Sequence, residues 1–275
     1  MANIYRSTAH LGDIDMFYLD TRTHAPAIVC LHGRWGRAET WVHLMRHYGD
    51  RYRVIAPDQR GHGLSSKPVS KYTAEEMAAD VIALLDALNI PSAIVAGQSM
   101  GGCIAGFLAA LYPERISAIV ILDKSAAGPE NVSTLPLYQL RAEDPLTKDW
   151  PLPFPTLYDA SSFIKGWAGS ELEYEYFMAS VYETPEGFNM MFSTQAIAAN
   201  IEYDQGWFHL LPNIKCPVLL MRAKGGAAVP DADFIKMQSL LPACIARESS
   251  SPDHNVQLSD KEGFYACFDE LLSKI

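Results

Sequence analysis

Two hydrophobic periods alternate along this chain. Short apolar, β-branched runs at residues 14–19, 27–31, 53–56, 93–96 and 116–122 have the length and composition of strands, and segments with helical spacing lie between most of them. The clearest helical segment spans residues 73–88. Thr73 and Glu76 form a capping-box pair at its start, and Met77, Val81, Leu84, Leu85 and Leu88 recur along one face. Residues 4–9 and 14–19, separated by Gly12 and Asp13, read as an antiparallel hairpin. Strands alternating with helices predict a mainly parallel α/β sheet covered on both faces, entered here through an antiparallel edge.

From about residue 125 to residue 208 the alternation stops. This stretch is rich in proline (Pro129, Pro136, Pro145, Pro151, Pro153, Pro155, Pro185) and in aromatics such as Trp150, Phe154, Trp167, Tyr176, Phe177 and Phe192. Helical pieces are predicted at residues 161–167, 172–182 and 185–200. The stretch reads as an inserted helical cap, residues 125–208, on a core made of residues 1–124 and 209–275. Alternation then resumes with a strand at 217–221, a helix at 231–240, a strand at 243–247 and a terminal helix at 261–272.

With 275 residues, 49% apolar and 20% charged, the chain can bury the core of one large domain. A formal charge of −10 argues against a nucleic-acid surface, which needs clustered Lys and Arg to neutralise phosphate. The first residues lack the apolar core of a secretion signal, and no apolar stretch approaches the ~20 residues that span a bilayer. The expectation is a cytoplasmic protein with a small-molecule partner, with monomer and homodimer both left open. Cys30, Cys103, Cys216, Cys244 and Cys267 are far apart and embedded in apolar context, so they read as buried thiols. No Cys or His cluster has metal-ligand spacing, and no metal or other cofactor is expected.

The chemistry begins at Gly97-Gln98-Ser99-Met100-Gly101-Gly102, between the run at 93–96 and the helical stretch at 103–111. A serine on a sharp strand-to-helix turn is held strained and exposed at the end of a sheet, and small residues two before and two after let strand and helix approach. By itself such a glycine-flanked serine is most often an ordinary turn; the strand before and helix after make Ser99 a candidate nucleophile. A serine hydroxyl needs a base within reach, and His254, in the loop Ser251-Pro252-Asp253-His254-Asn255-Val256 before the last helix, is the best placed of eight histidines.

Four segments together carry a family resemblance over nearly the full length: Leu31-His32-Gly33-Arg34, Asp58-Gln59-Arg60-Gly61-His62-Gly63-Leu64-Ser65, the Ser99 turn, and His254-Asn255-Val256. The chain resembles the α/β-hydrolase family. The resemblance implies an eight-stranded, mainly parallel sheet with helices on both faces, Ser99 as nucleophile, His254 as general base then acid, and an oxyanion hole from the backbone N–H groups of Met100 and Arg34. It makes His32 and His62 turn-holding residues, and Asp58, Arg60 and Asp253 loop-fixing or solvated groups. The Arg34 side chain is expected to point to solvent, with the pocket mouth as the other option; Trp35 is placed on the pocket wall.

The third catalytic member departs from the family pattern. Most relatives carry an Asp shortly after the strand corresponding to residues 218–221, but Arg222-Ala223-Lys224-Gly225-Gly226-Ala227-Ala228 holds no carboxylate. Some members supply the acid from the end of the preceding core strand, where this chain has Asp123. Asp123 is the choice, with Asp231 and Asp233 next. The function implied is a cofactor-free serine hydrolase of a small to medium apolar carboxylic ester or lactone, with Met178, Met190 and Met191 among the residues lining an apolar pocket. Two alternatives stay open: a carbon–carbon bond hydrolase, whose relatives carry a Ser-Met-Gly-Gly turn preceded by Asn where this chain has Gln98, and a non-catalytic ligand receptor. Dehalogenase and epoxide-hydrolase chemistry would need an aspartate at position 99.

Overall fold

A computed structural model describes residues 2–275. The chain enters through the hairpin β1 (Tyr5–Leu11) and β2 (Ile14–Asp20), then β3 (Ala27–Leu31), α1 (Val42–Tyr48), β4 (Arg53–Pro57), α2 (Ala74–Ala87), β5 (Ala93–Gln98), α3 (Met100–Leu111) and β6 (Ile116–Leu122). After β6 it leaves the sheet for α4 (Leu157–Trp167), α5 (Glu171–Met178), the hairpin β7 (Val181–Thr184) and β8 (Gly187–Met190), and α6 (Thr194–Glu202). It returns with β9 (Val218–Arg222), α7 (Asp231–Leu240), β10 (Cys244–Glu248), α8 (Val256–Ser259) and α9 (Lys261–Leu272).

Eight strands form one sheet in the order β1-β2-β4-β3-β5-β6-β9-β10. β1, β2 and β4 pair antiparallel, and every pair from β4 to β10 is parallel. The apolar runs are continuous because both faces are covered. In β3, Val29 and Leu31 join α2 and α3 in one core, whereas Ile28 and Cys30 join α1 and α9 in the other. β5, β6 and β9 divide their side chains between the same two cores. Thr73 caps α2 with the reciprocal Glu76 bond that the sequence predicts.

The segment between β6 and β9 has a small core of its own, centred on Trp150, Phe154, Ile164, Phe177, Phe192 and Ile197. Two expected helices are altered here. The helix placed at 172–182 stops at Met178, and the one placed at 185–200 is a hairpin strand followed by α6. The cause is local. Pro185 and Gly187 turn the chain, Thr184 Oγ1 donates to the Gly187 carbonyl, and Phe188 exchanges two backbone hydrogen bonds with Phe154, both 2.7 Å. Helical spacing of aromatics could not foresee a strand partner as far along the chain as Phe154 is from Phe188. Cys30 and Cys103 are buried; Cys216, Cys244 and Cys267 are only partly so, correcting the expectation of five buried thiols.

Candidate active site

The turn at Ser99 follows from how little chain there is. β5 ends at Gln98 and α3 begins at Met100, so one residue reverses the backbone, and Ser99 takes φ 52°. Only small neighbours permit it: a Cβ at Gly97 would overlap the Gly101 carbonyl, and one at Gly101 would overlap that of Leu31. Ser99 N–H donates to the Leu122 carbonyl at 2.9 Å, tying the turn to the end of β6.

One residue beyond β6 stands Asp123, buried and also left-handed at φ 48°. Its Oδ2 lies 2.7 Å from His254 Nδ1, and its Oδ1 accepts the Ala223 N–H at 2.8 Å. The segment after β9, empty of carboxylates, thus contributes a backbone donor to the carboxylate that sits on the neighbouring strand. A carboxylate only accepts, so Nδ1 carries a proton, and in the neutral ring Nε2 is the nitrogen with the free lone pair. Asp231 instead pairs with Arg222 at 2.7 Å with its side chain 82% exposed, and Asp233 accepts from Ser125 Oγ.

The loop bearing His254 is held from several sides. Asp260 accepts from Ser249 Oγ and Ser250 N–H while capping α9, Asp253 Oδ1 accepts Asn255 N–H, and Gln98 Nε2 donates to the His254 carbonyl at 3.1 Å. Asp253 is therefore a loop-fixing group, as expected. Gln98 gave no sign of this in the sequence, since its partner is 156 positions away.

Ser99, His254, Arg34 and Trp35 line one cavity of about 230 Å³, together with Tyr176, Phe177, Leu146 and the polar residues Glu173, Asp253 and Asn255. Ser99 and His254 share that space, and among the described residues the Ser99 hydroxyl makes no hydrogen bond; such bonds in ligand-free sites commonly tighten only on binding. Met178, Met190 and Met191 do not line it. Met190 and Met178 pack into the aromatic core of the inserted segment, and Met191 Sδ faces Arg37. The expected apolar pocket is a mixed one.

The Arg34 side chain also departs from expectation. It is turned inward at 22% exposure, with Nε donating to Asn200 Oδ1 at 2.6 Å and a terminal nitrogen 3.6 Å from Asp204, because α6 and the turn just after it present those two acceptors to it. Lys124 Nζ shares the same Asp204 oxygen at 3.6 Å. Burial draws the Arg34 guanidinium below its ordinary range, and Asp204 opposes this.

His32 and His62 are turn-holding residues. His32 Nε2 accepts Gln59 N–H, so its Nδ1 is the protonated nitrogen and donates to the Gly33 carbonyl at 2.8 Å. Gly33 C=O and Arg34 N–H belong to one peptide plane, so this bond orients the Arg34 amide. Among the described residues that amide has no hydrogen-bond partner. Met100 is the first residue of α3, where an N–H has no acceptor within the helix. A Cβ at Gly33 would lie 3.2 Å from Ser99 Cβ, which measures how closely this loop passes the serine. Asp58 accepts from Ala38 and Leu64 N–H, and Arg60 forms a buried two-pronged pair with Asp80.

An eight-stranded sheet with a serine on a left-handed turn after β5, and a histidine–carboxylate pair beyond β6 and β10, defines a class. The alpha/beta hydrolase fold model matches residues 26–270, and the chain belongs to that family. Over 144 residues it is 37% identical to 3-oxoadipate enol-lactonase 2 of Acinetobacter baylyi, covering 52% of this chain and about half, 54%, of that relative. It is 29% identical over 234 residues to 2-hydroxy-6-oxononadienedioate/2-hydroxy-6-oxononatrienedioate hydrolase of Burkholderia vietnamiensis, covering 79% and 77% of the two chains. The crystal structure of E-2-(acetamidomethylene)succinate hydrolase superposes with a TM-score of 0.80 at 21% identity, over 98% of this chain and all of that one. No helix among the described residues is long and apolar enough to cross a membrane.

Proposed function

We propose that the protein is a serine hydrolase of a small to medium carboxylic ester or lactone, with Ser99 as nucleophile, His254 as base and then acid, and Asp123 as the orienting carboxylate. The 2.7 Å contact between Asp123 and His254 Nδ1, at the rim of a cavity that also holds Ser99, carries this reading. Ser99 Oγ attacks the carbonyl carbon while its proton moves to His254 Nε2. Negative charge on the carbonyl oxygen is met by the Met100 and Arg34 N–H groups, each worth roughly 3 kcal/mol in comparable sites. Collapse breaks the bond to the leaving oxygen, which takes the proton from Nε2 and, for a lactone, stays tethered to the acyl group. Water then attacks the Ser99 ester, its proton passes to Nε2, and Ser99 leaves protonated. Nucleophile, base and anion donors are all protein groups, so the route calls for no cofactor. It belongs to a cytoplasmic enzyme whose inserted segment, residues 125–208, caps the site.

The charge around the cavity favours a neutral substrate. Its wall carries the carboxylates of Glu173 and Asp253, while Arg34 is engaged by Asn200 and Asp204. The names of the relatives describe acidic substrates, an oxoadipate lactone and a dienedioate. Esters matched in length should here be turned over about tenfold better with a neutral tail than with a terminal carboxylate. Equal kcat/KM for the two would remove the charge argument.

Carbon–carbon bond hydrolysis is the second reading, favoured by the likeness to the dienedioate hydrolase and by the Ser99-Met100-Gly101-Gly102 turn. The receptor alternative rested on the segment without a carboxylate, and the Asp123 contact supports catalysis instead. Chromogenic short-chain esters, simple lactones and a diketone ring-fission substrate, each assayed with wild type and Ser99→Ala, separate the readings. Ester or lactone turnover that disappears in Ser99→Ala is expected; turnover that survives it defeats the serine mechanism.

A further inference from the structure

The loop that carries the Arg34 amide is held largely by the inserted segment. Tyr176 Oη on α5 donates to the Arg34 carbonyl at 2.9 Å, and Ser180 Oγ donates to the Trp35 carbonyl at 3.1 Å. Trp35 Nε1 reaches both oxygens of the buried Asp144, at 3.1 and 3.2 Å. Two consecutive carbonyls and the intervening side chain are thus fastened by three residues outside the sheet. They also explain why Trp35 persists at φ 62°, a conformation costly for a bulky residue unless its surroundings over-determine it. The fit is built in. Gly36 leaves the space that Tyr176 Oη occupies, since a Cβ there would overlap it. Burial holds the Tyr176 phenol above its ordinary range, so it stays a donor at every working pH. Asp144 is itself fixed by the N–H groups of Leu146 and Thr147 and the Thr147 hydroxyl.

We infer that Tyr176, Ser180 and Asp144 are positioning residues for the Arg34 amide, so that the inserted segment acts in stabilising the transition state rather than only covering the substrate. This rests on the serine-hydrolase reading. Donors that are pre-oriented toward developing charge contribute only if they need not reorganise during the reaction, and a loop with a left-handed tryptophan relaxes when its fastenings go.

The test uses the whole protein with Tyr176→Phe, Ser180→Ala and the double variant, active sites being titrated with a fluorophosphonate that labels Ser99. Ser180 is buried and is not among the cavity-lining residues, so its effect cannot be a lost substrate contact. Per titrated site, kcat should fall about tenfold in each single variant with KM within about twofold, and affinity for an alkyl boronic acid, which mimics the tetrahedral state, should fall in parallel. Unchanged kcat and boronate affinity in the double variant, with normal wild-type turnover, overturns the inference while leaving the hydrolase intact. A loss confined to KM overturns it too, as a binding effect. Wild type that neither turns over nor labels at Ser99 removes the hydrolase reading and this inference together.

Discussion

Asp123 is the side chain on which the proposed chemistry turns, because the loops after β9 and β10 converge on its two oxygens. Replacing it by Asn keeps the shape but can hold the imidazole in the wrong tautomer, a change worth roughly 10⁴ in kcat in related machinery. Asp123→Asn should therefore lose several orders of magnitude in kcat while its thermal midpoint stays within a few degrees. Asp231→Asn and Asp233→Asn, whose partners are Arg222 and Ser125, should stay within about twofold of wild type. Steady-state kinetics beside a circular-dichroism melt checks all three. A near-native rate for Asp123→Asn would transfer the role to another carboxylate.

Helix α2 shows how one element is fastened by two devices of different strength. At its start the Thr73 and Glu76 capping box satisfies two backbone donors at a partly exposed end. In its body Asp80, buried, receives Arg60 through two nitrogens at 2.5 and 2.6 Å. Removing the cap with Thr73→Ala should cost about 1 kcal/mol. Asp80→Ala leaves the Arg60 guanidinium buried without its partner and should cost about 3 kcal/mol or more. Urea denaturation of the two variants orders them, and a smaller loss for Asp80→Ala than for Thr73→Ala would contradict the burial argument.

For the molecule as a whole, the two fully buried histidines couple stability to acid. Burial, against the bond to the Gly33 carbonyl, holds His32 down to about 4, and burial reinforced by His32 holds His62 down to about 3. In the unfolded chain both titrate near 6.5, so between these values the unfolded state binds more protons. Their contribution is complete above pH 6.5 and is lost as pH falls towards 4, on the order of 3 kcal/mol for His32 alone. Burial raises the carboxyls of Asp58 and Asp80, which works in the opposite direction as each takes up its proton in the folded state. The urea midpoint should fall steadily between pH 6.5 and 4.5 at constant ionic strength. A flat profile would mean that the two rings are not held neutral.

Much of this protein is written in local pattern. The strands β3 to β6, the boundaries of α2, α7 and α9, and the turn at Ser99 follow from periodicity, caps and glycine placement, because each depends on residues within a few positions. The motifs around His32, Ser99 and His254 marked the candidate site for the same reason. What remained hidden depends on residues meeting from far apart. The hairpin at 181–190 needed Phe154, the inward turn of Arg34 needed Asn200 and Asp204, and the grip on residues 34–35 needed Tyr176, Ser180 and Asp144. Asp123 could be nominated from its strand-end position, yet its pairing with His254 is settled by two loops meeting at one end of the sheet, 131 positions apart in the chain. Local backbone preference writes the elements into the order of the residues. Polar groups buried between those elements find their partners only once packing has removed the water that would otherwise serve them.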